Sequence, residues 1–178
     1  MIREKRLLSI DPGLSSGGAV LSYTDGSAPR LVDAWQVDGG VEGLLGLLMN
    51  SSLYGNGFLD PTITHTIVEK FNARNTNGFS YTTASLEPLR CEGALIALEI
   101  GDEYVQPPQQ YIAGGTGKAD KKKRQHRLLK DLGFYVTGSM LGSKDADDAR
   151  SAIAHGLGWL MRNGHKPTYE LITGRANK

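Results

Sequence analysis

The sequence predicts an α/β fold built on a mixed sheet, an antiparallel meander continued by parallel strands and flanked by helices. Two observations carry that expectation. Apolar runs at roughly 7–10, 17–23 and 31–37 follow one another across turns too short to hold a helix, so they read as three successive strands. Two later apolar runs, Thr64 to Glu69 and Glu103 to Val105, alternate instead with stretches of helical periodicity, the pattern of strand–helix–strand units. A chain of 178 residues fits one domain and has enough length to bury a sizeable core.

Each element has its local reason. Asp11-Pro12-Gly13 turns the first strand into the second, and Asp25-Gly26-Ser27-Ala28-Pro29 supplies the next turn. Val41 to Leu53, with Leu44, Leu45, Leu47 and Leu48, reads as a helix weakened by Gly43 and Gly46. Residues 81–99 carry a helical pattern through Leu89, Ala94, Leu95 and Leu98, with Pro88 marking a helical start or kink. The fifth strand stops at Pro107-Pro108, and residues 119–132 and 145–162 make two final helices. This order of elements resembles the ribonuclease H-like architecture with its mixed five-stranded sheet.

Composition excludes several classes of function. Cys91 is the lone cysteine, so an intrachain disulfide and a cysteine-rich zinc site are both excluded. The N-terminal apolar run is too short for a signal peptide, and no segment has the length to span a bilayer. A soluble, cytoplasmic protein with no membrane partner is expected. The total charge of +1 hides an asymmetry: residues 118–130 hold Lys118, Lys121, Lys122, Lys123, Arg124, Arg127 and Lys130 against Asp120 alone. That segment is therefore +6 and the remainder −5, a distribution suited to gripping a polyanion at one place.

The acids form the second signal. Asp11 ends the first strand and Glu69 the fourth; if those strands are parallel neighbours, both carboxylates emerge at the sheet edge where α/β folds place ligands. Asp145 and Asp148, three residues apart at the start of a helix, share a face, whereas Asp147 points elsewhere. Each acid alone has an ordinary structural explanation as a turn, a strand end or a helix-dipole partner. Together they are costly unless a cation neutralises them, and Mg²⁺ or Mn²⁺ suits hard oxygen ligands. Ala113-Gly114-Gly115-Thr116-Gly117 lacks the full phosphate-loop pattern and reads as a flexible approach to the basic helix.

Ile10-Asp11-Pro12-Gly13, Val68-Glu69, Gly115-Thr116-Gly117-Lys118-Ala119-Asp120-Lys121 with Gln125-His126, and Asp145-Ala146-Asp147-Asp148-Ala149 resemble, in type and order, the RuvC family of Holliday junction resolvases. The resemblance runs from about residue 7 to 160. It implies that residues 1–178 form a single RuvC-like nuclease domain, with metal-binding, catalytic acids at Asp11, Glu69, Asp145 and Asp148. It also implies DNA contacts from Lys118 and Lys121, with Lys122, Lys123 and Arg124 beside them on the basic helix. Phe71 stands for the family's junction-splaying aromatic, at a spacing one residue shorter. The insertion around Ser51 to Pro61 and the tail after 163 depart from the pattern and resemble phage-encoded relatives, so a bacterial cell or a phage-infected host is the expected setting.

The implied activity is two-metal hydrolysis of phosphodiesters in four-way junctions, and in flaps or other branched DNA, leaving 5′-phosphate and 3′-hydroxyl ends. Paired nicks across a junction call for a two-fold homodimer, with the helix of Leu89, Leu95 and Leu98 as its surface. Three rivals are weighed against this. A ribonuclease H acting on RNA–DNA hybrids shares the fold but not the basic helix. A branched-DNA-binding module without activity would have no use for four acids. An actin-like ATPase needs a duplicated domain for which the chain has no room.

Overall fold

The computed structural model describes residues 3–50, 62–71, 82–105, 118–137 and 145–174. Five strands run in the order β3-β2-β1-β4-β5, with β1 Lys5–Asp11, β2 Ser15–Thr24, β3 Ser27–Asp38, β4 His65–Glu69 and β5 Glu103–Val105. The β1–β2 and β2–β3 pairs are antiparallel, while β1–β4 and β4–β5 are parallel. The expected meander with parallel strands added on one side is the architecture observed. One boundary differs: Ser27, Ala28 and Pro29 belong to β3, and the turn is confined to Asp25-Gly26. Pro29 is admitted because β3 is an edge strand, where a missing N–H leaves no ladder bond unmade.

Among the described residues the helices are α1 Gly40–Asn50, α2 Thr83–Ala97, α3 Lys118–Asp131, α4 Asp147–Arg162 and α5 Lys166–Thr173. Pro88 lies well inside α2, so the helix begins before it rather than at it. The two faces of the sheet bury separate cores. Leu8, Ile10, Val20, Trp35 and Val68 pack with Leu44 and Leu48 of α1 and with Cys91 and Leu95 of α2. Leu7, Ala19, Leu21 and Ile67 pack on the opposite face with Leu129 of α3 and with Ala152, Ile153, Leu157 and Leu160 of α4. Leu95 is thus a core residue, while Leu89 and Leu98, its companions in the expected dimer surface, are half exposed. The alternation along β1 sorts its residues: Leu8 and Ile10 serve one face, whereas Leu7, Ser9 and Asp11 look toward α4.

The helix α5 was not expected from the sequence, although Pro167 near its start and Gly174 in the left-handed conformation after its end are ordinary helix boundaries. Among the described residues no helix is long and apolar enough to cross a membrane. Residues 113–117, the glycine-rich approach to α3, lie outside the described residues.

Candidate metal centre at the sheet edge

Asp11 and Glu69 are the last residues of β1 and β4, and the parallel register that pairs Ile10 with Val68 sets them side by side at the C-terminal edge. Both follow the alternation onto the α4 face. The backbone around Asp11 is held from two sides. It pairs with Gly17 of β2, and the turn that follows is stitched by Gly13 N–H donating to Ser16 Oγ at 3.1 Å and Gly40 N–H donating to Leu14 O at 2.8 Å. The chain leaving Glu69 is fixed as well: Lys70 N–H donates to Val105 O, and Phe71 N–H to Glu92 Oε2, each at 2.8 Å. Phe71 itself is half-buried there.

Glycine decides how closely α4 approaches this edge. A Cβ on Gly17 would sit 2.1 Å from the backbone carbonyl of Asp148, and one on Gly18 would sit 2.1 Å from the Trp35 ring on the other face. Any side chain at Gly17 would push the start of α4 off the sheet and carry Asp148 away from Asp11. The free N–H groups at that helix start are met by Gln36, a buried residue of β3: its Oε1 accepts from Asp148 N–H at 2.8 Å and from Ala149 N–H at 3.3 Å. Its amide nitrogen also lies 3.4 Å from Asp145 Oδ1.

Asp145 differs from the sequence expectation. The helix starts at Asp147 with Ala146 as its N-cap, so Asp145 precedes the helix and does not share a helical face with Asp148. It is exposed, and its Oδ1 accepts from Asp147 N–H at 2.9 Å, acting as a cap on the first turn. Asp148 is half-buried within the electrostatic reach of Asp11.

The tightest convergence is of Asp11, Glu69 and His155, whose ligand atoms all lie within 4.8 Å of one another; no other such group of three exists among the described residues. Burial pushes the Glu69 carboxyl up to about 10, reinforced by the Asp11 carboxylate beside it and by a hydrogen bond between the two, and by Asp148. Burial, then Asp11, Asp145 and Asp147, raise Asp148 to about 6. Carboxyl groups are therefore crowded here with no salt-bridged Lys or Arg on Asp11, Glu69 or Asp148 among the described residues, and a divalent cation would reverse both shifts. The donor set fits such an ion: hard oxygens and one imidazole at the edge of a rigid sheet.

Asp147 does different work. It pairs with Lys122 and Arg150, with His126 Nε2 at 3.5 Å. Burial opposes ionisation, yet the hydrogen bonds from Lys122 and Arg150 hold its carboxyl below the usual range. Arg150, buried on α4, also donates to Val136 O at 2.9 Å and lies over the Tyr135 ring at 4.9 Å. This knot ties α3 to the start of α4. Lys122 is engaged in it, whereas Lys123 and Arg124 are exposed and pair with no acid among the described residues. The side chains of Lys118 and Lys121 lie outside the described residues.

Two residues at this site escaped the sequence reading. His155 shares the sheet-facing stripe of α4 with Asp148 and Ala152, two turns on from the acid, and that periodicity was the available signal. Gln36 carried no signal, because its role depends on β3 meeting a helix start more than a hundred residues away.

No protein-family model matches the sequence, and no curated protein matches it. Solved structures do. The chain is similar to a Thermus thermophilus RuvC structure at 19% identity with a TM-score of 0.51, and to Thermus thermophilus RuvC in complex with a Holliday junction substrate at 15% identity with a TM-score of 0.55. Each alignment covers 90% of this chain and 97% of the other. At these identities the likeness is one of fold, and it establishes a RuvC-like, ribonuclease H-like fold.

Proposed function

We propose that this chain is a metal-dependent, structure-specific DNA endonuclease whose principal substrate is the four-way junction. The observation that carries the reading is the uncompensated carboxylate pair Asp11 and Glu69 at the C-terminal sheet edge, with Asp148 beside it on α4. The RuvC-like fold, one of whose solved examples holds a Holliday junction substrate, supports the choice of DNA over other phosphodiesters.

In this reading Asp11, Glu69 and Asp148, with Asp145 at the rim, hold divalent ions, Mg²⁺ or Mn²⁺. Bound there, such ions supply an activated water and stabilise charge on the leaving 3′ oxygen. The chain's own contribution is position. The parallel register fixes Asp11 against Glu69, Gly17 lets α4 close onto them, and Gln36 holds the Asp148 backbone. The basic helix α3, tethered to α4 through Asp147, offers Lys123 and Arg124 to backbone phosphates, with Lys118 and Lys121 on the same helix. In the same reading Phe71, at the exit of β4, is the aromatic that wedges against a base step. A two-fold homodimer gives the paired nicks that resolution requires, and the exposed Leu89, Ile96 and Leu98 are its proposed surface.

The test is a nicking assay on an end-labelled four-way junction beside flap, duplex and RNA–DNA hybrid substrates, with and without Mg²⁺. Paired, ligatable nicks in the junction that need the metal and vanish in Asp11→Asn are expected. Preferential cutting of the hybrid would favour a ribonuclease H. Tight junction binding with no cleavage under Mg²⁺ or Mn²⁺ would reduce the protein to a binding module.

A further inference from the structure

His155 is 1% exposed, and neither ring nitrogen has a hydrogen-bond partner among the described residues. A histidine that merely fills a core normally donates from one nitrogen and accepts at the other. This one instead directs Nε2 toward Glu69, 3.5 Å from Oε2, beyond the 2.7–3.2 Å of an ordinary N–H···O bond. We propose that His155 is a direct metal ligand through a ring nitrogen, completing a mixed imidazole–carboxylate site with Asp11 and Glu69, and that this nitrogen biases the site toward Mn²⁺ and neighbouring transition ions over Mg²⁺. The inference rests on the metal-site reading above and names a ligand that the four-acid expectation did not contain.

The spacing permits it. Donors at about 2.0–2.2 Å from a common ion lie no more than about 4.4 Å apart, and the three ligand atoms are already within 4.8 Å of one another, so shifts of a few tenths of an ångström complete the shell. The next residue, Gly156, lets α4 lie close on the sheet beside the site: a Cβ there would lie 2.8 Å from Leu21 Cδ1 and 3.4 Å from Ser9 Cβ. The preference follows from ligand chemistry: all-oxygen sites suit Mg²⁺, whereas an imidazole nitrogen is better matched by transition ions.

Mn²⁺ binding and pulsed electron paramagnetic resonance on four proteins test this: wild type, wild type grown with ¹⁵N-histidine, His155→Gln and Asp11→Asn. Bound Mn²⁺ in wild type is expected to show ¹⁴N coupling that changes to the ¹⁵N pattern on labelling and disappears in His155→Gln. By equilibrium dialysis, His155→Gln is expected to weaken Mn²⁺ binding about tenfold or more while Mg²⁺ binding changes less than about threefold. Mn²⁺ bound to wild type without nitrogen coupling overturns the inference, and the labelled wild type gives that answer even if His155→Gln folds poorly. The Asp11→Asn arm separates the two readings. If it loses Mn²⁺ while wild type lacks nitrogen coupling, only His155 falls; if it retains wild-type affinity, the carboxylate site and the inference fall together.

Discussion

Glu69 at a strand end and Asp147 at the start of α4 belong to one acidic neighbourhood and obey opposite electrostatics. Glu69, beside Asp11, is buried with a second carboxylate as its nearest charge and is driven up to about 10. Asp147, a short distance along the same cluster, is surrounded by Lys122, Arg150 and His126 and is held below the ordinary range. The same residue class thus finds two environments: Asp147 is neutralised by cations of the chain, whereas Glu69 has a carboxylate for a neighbour and, in the proposed reading, needs a bound cation to ionise. Asp148 sits between, raised to about 6, capped from Gln36 through its backbone and facing Asp11 through its carboxyl.

The largest expected effect comes from exchanging one member of each set. Glu69→Gln should lower junction cleavage by about a thousandfold or more, the loss of several kcal/mol of metal-dependent stabilisation, while branched-DNA binding persists. Asp147→Asn should instead cost about 1.5–3 kcal/mol of stability by stranding Arg150, with cleavage retained well below the melting temperature. Single-turnover cleavage and thermal melts of both variants measure the contrast; a catalytically silent Glu69→Gln would erase it.

Gly17 sits where the two sets meet. Gly17→Ala places a methyl against the Asp148 carbonyl and should cost about 1–3 kcal/mol, with cleavage falling as α4 lifts. Gly46→Ala in α1, where a Cβ meets nothing within 4 Å, should gain up to about 1 kcal/mol with cleavage unchanged. Denaturant melts that rank the two alike would mean that the close approach of α4 is not what sets the site.

A further effect is in pH. In the metal-free protein Glu69 keeps its proton when folded from its ordinary value of 4.5 up to about 10, and Asp148 from 3.8 to about 6. The folded state binds more protons than the unfolded chain across those windows, so stability contributed by these groups is full below them and is lost as pH rises. The lowered carboxyl of Asp147 runs the other way, adding stability above 3.8 that is lost as pH falls. Melting temperature in chelator should therefore decline from pH 5 to 9 more steeply in wild type than in Glu69→Gln. Parallel slopes would show that Glu69 is ionised without a cation.

Much of this arrangement was legible before the structure. The short turns at Asp11-Pro12-Gly13 and Asp25-Gly26 announce the meander, and an acid closing each of two apolar runs points to one sheet edge once β1 and β4 are parallel. Asp147 turns its carboxyl to Lys122 and Arg150, and Asp145 lies before the helix because Ala146 takes the N-cap. His155 reads as one more position in the Ala152-Ile153-Ala154 core stripe, since periodicity reports burial but not whether an imidazole has partners. Gln36 and Gly17 were beyond reach for a different reason: both act across contacts between elements far apart in the chain, which local pattern does not encode.

The parallel pairing of β1 with β4 has a consequence for the order of events in folding. Between them the chain must complete β2, β3 and α1 before it returns, so the hairpin carrying Asp11 can form while Glu69 is still distant. A ligand that recognises the pair meets its site only in the finished sheet. Its binding free energy then deepens the native basin without lowering the barrier into it, and the occupied edge behaves as a latch: the chain closes at its own pace and opens more slowly.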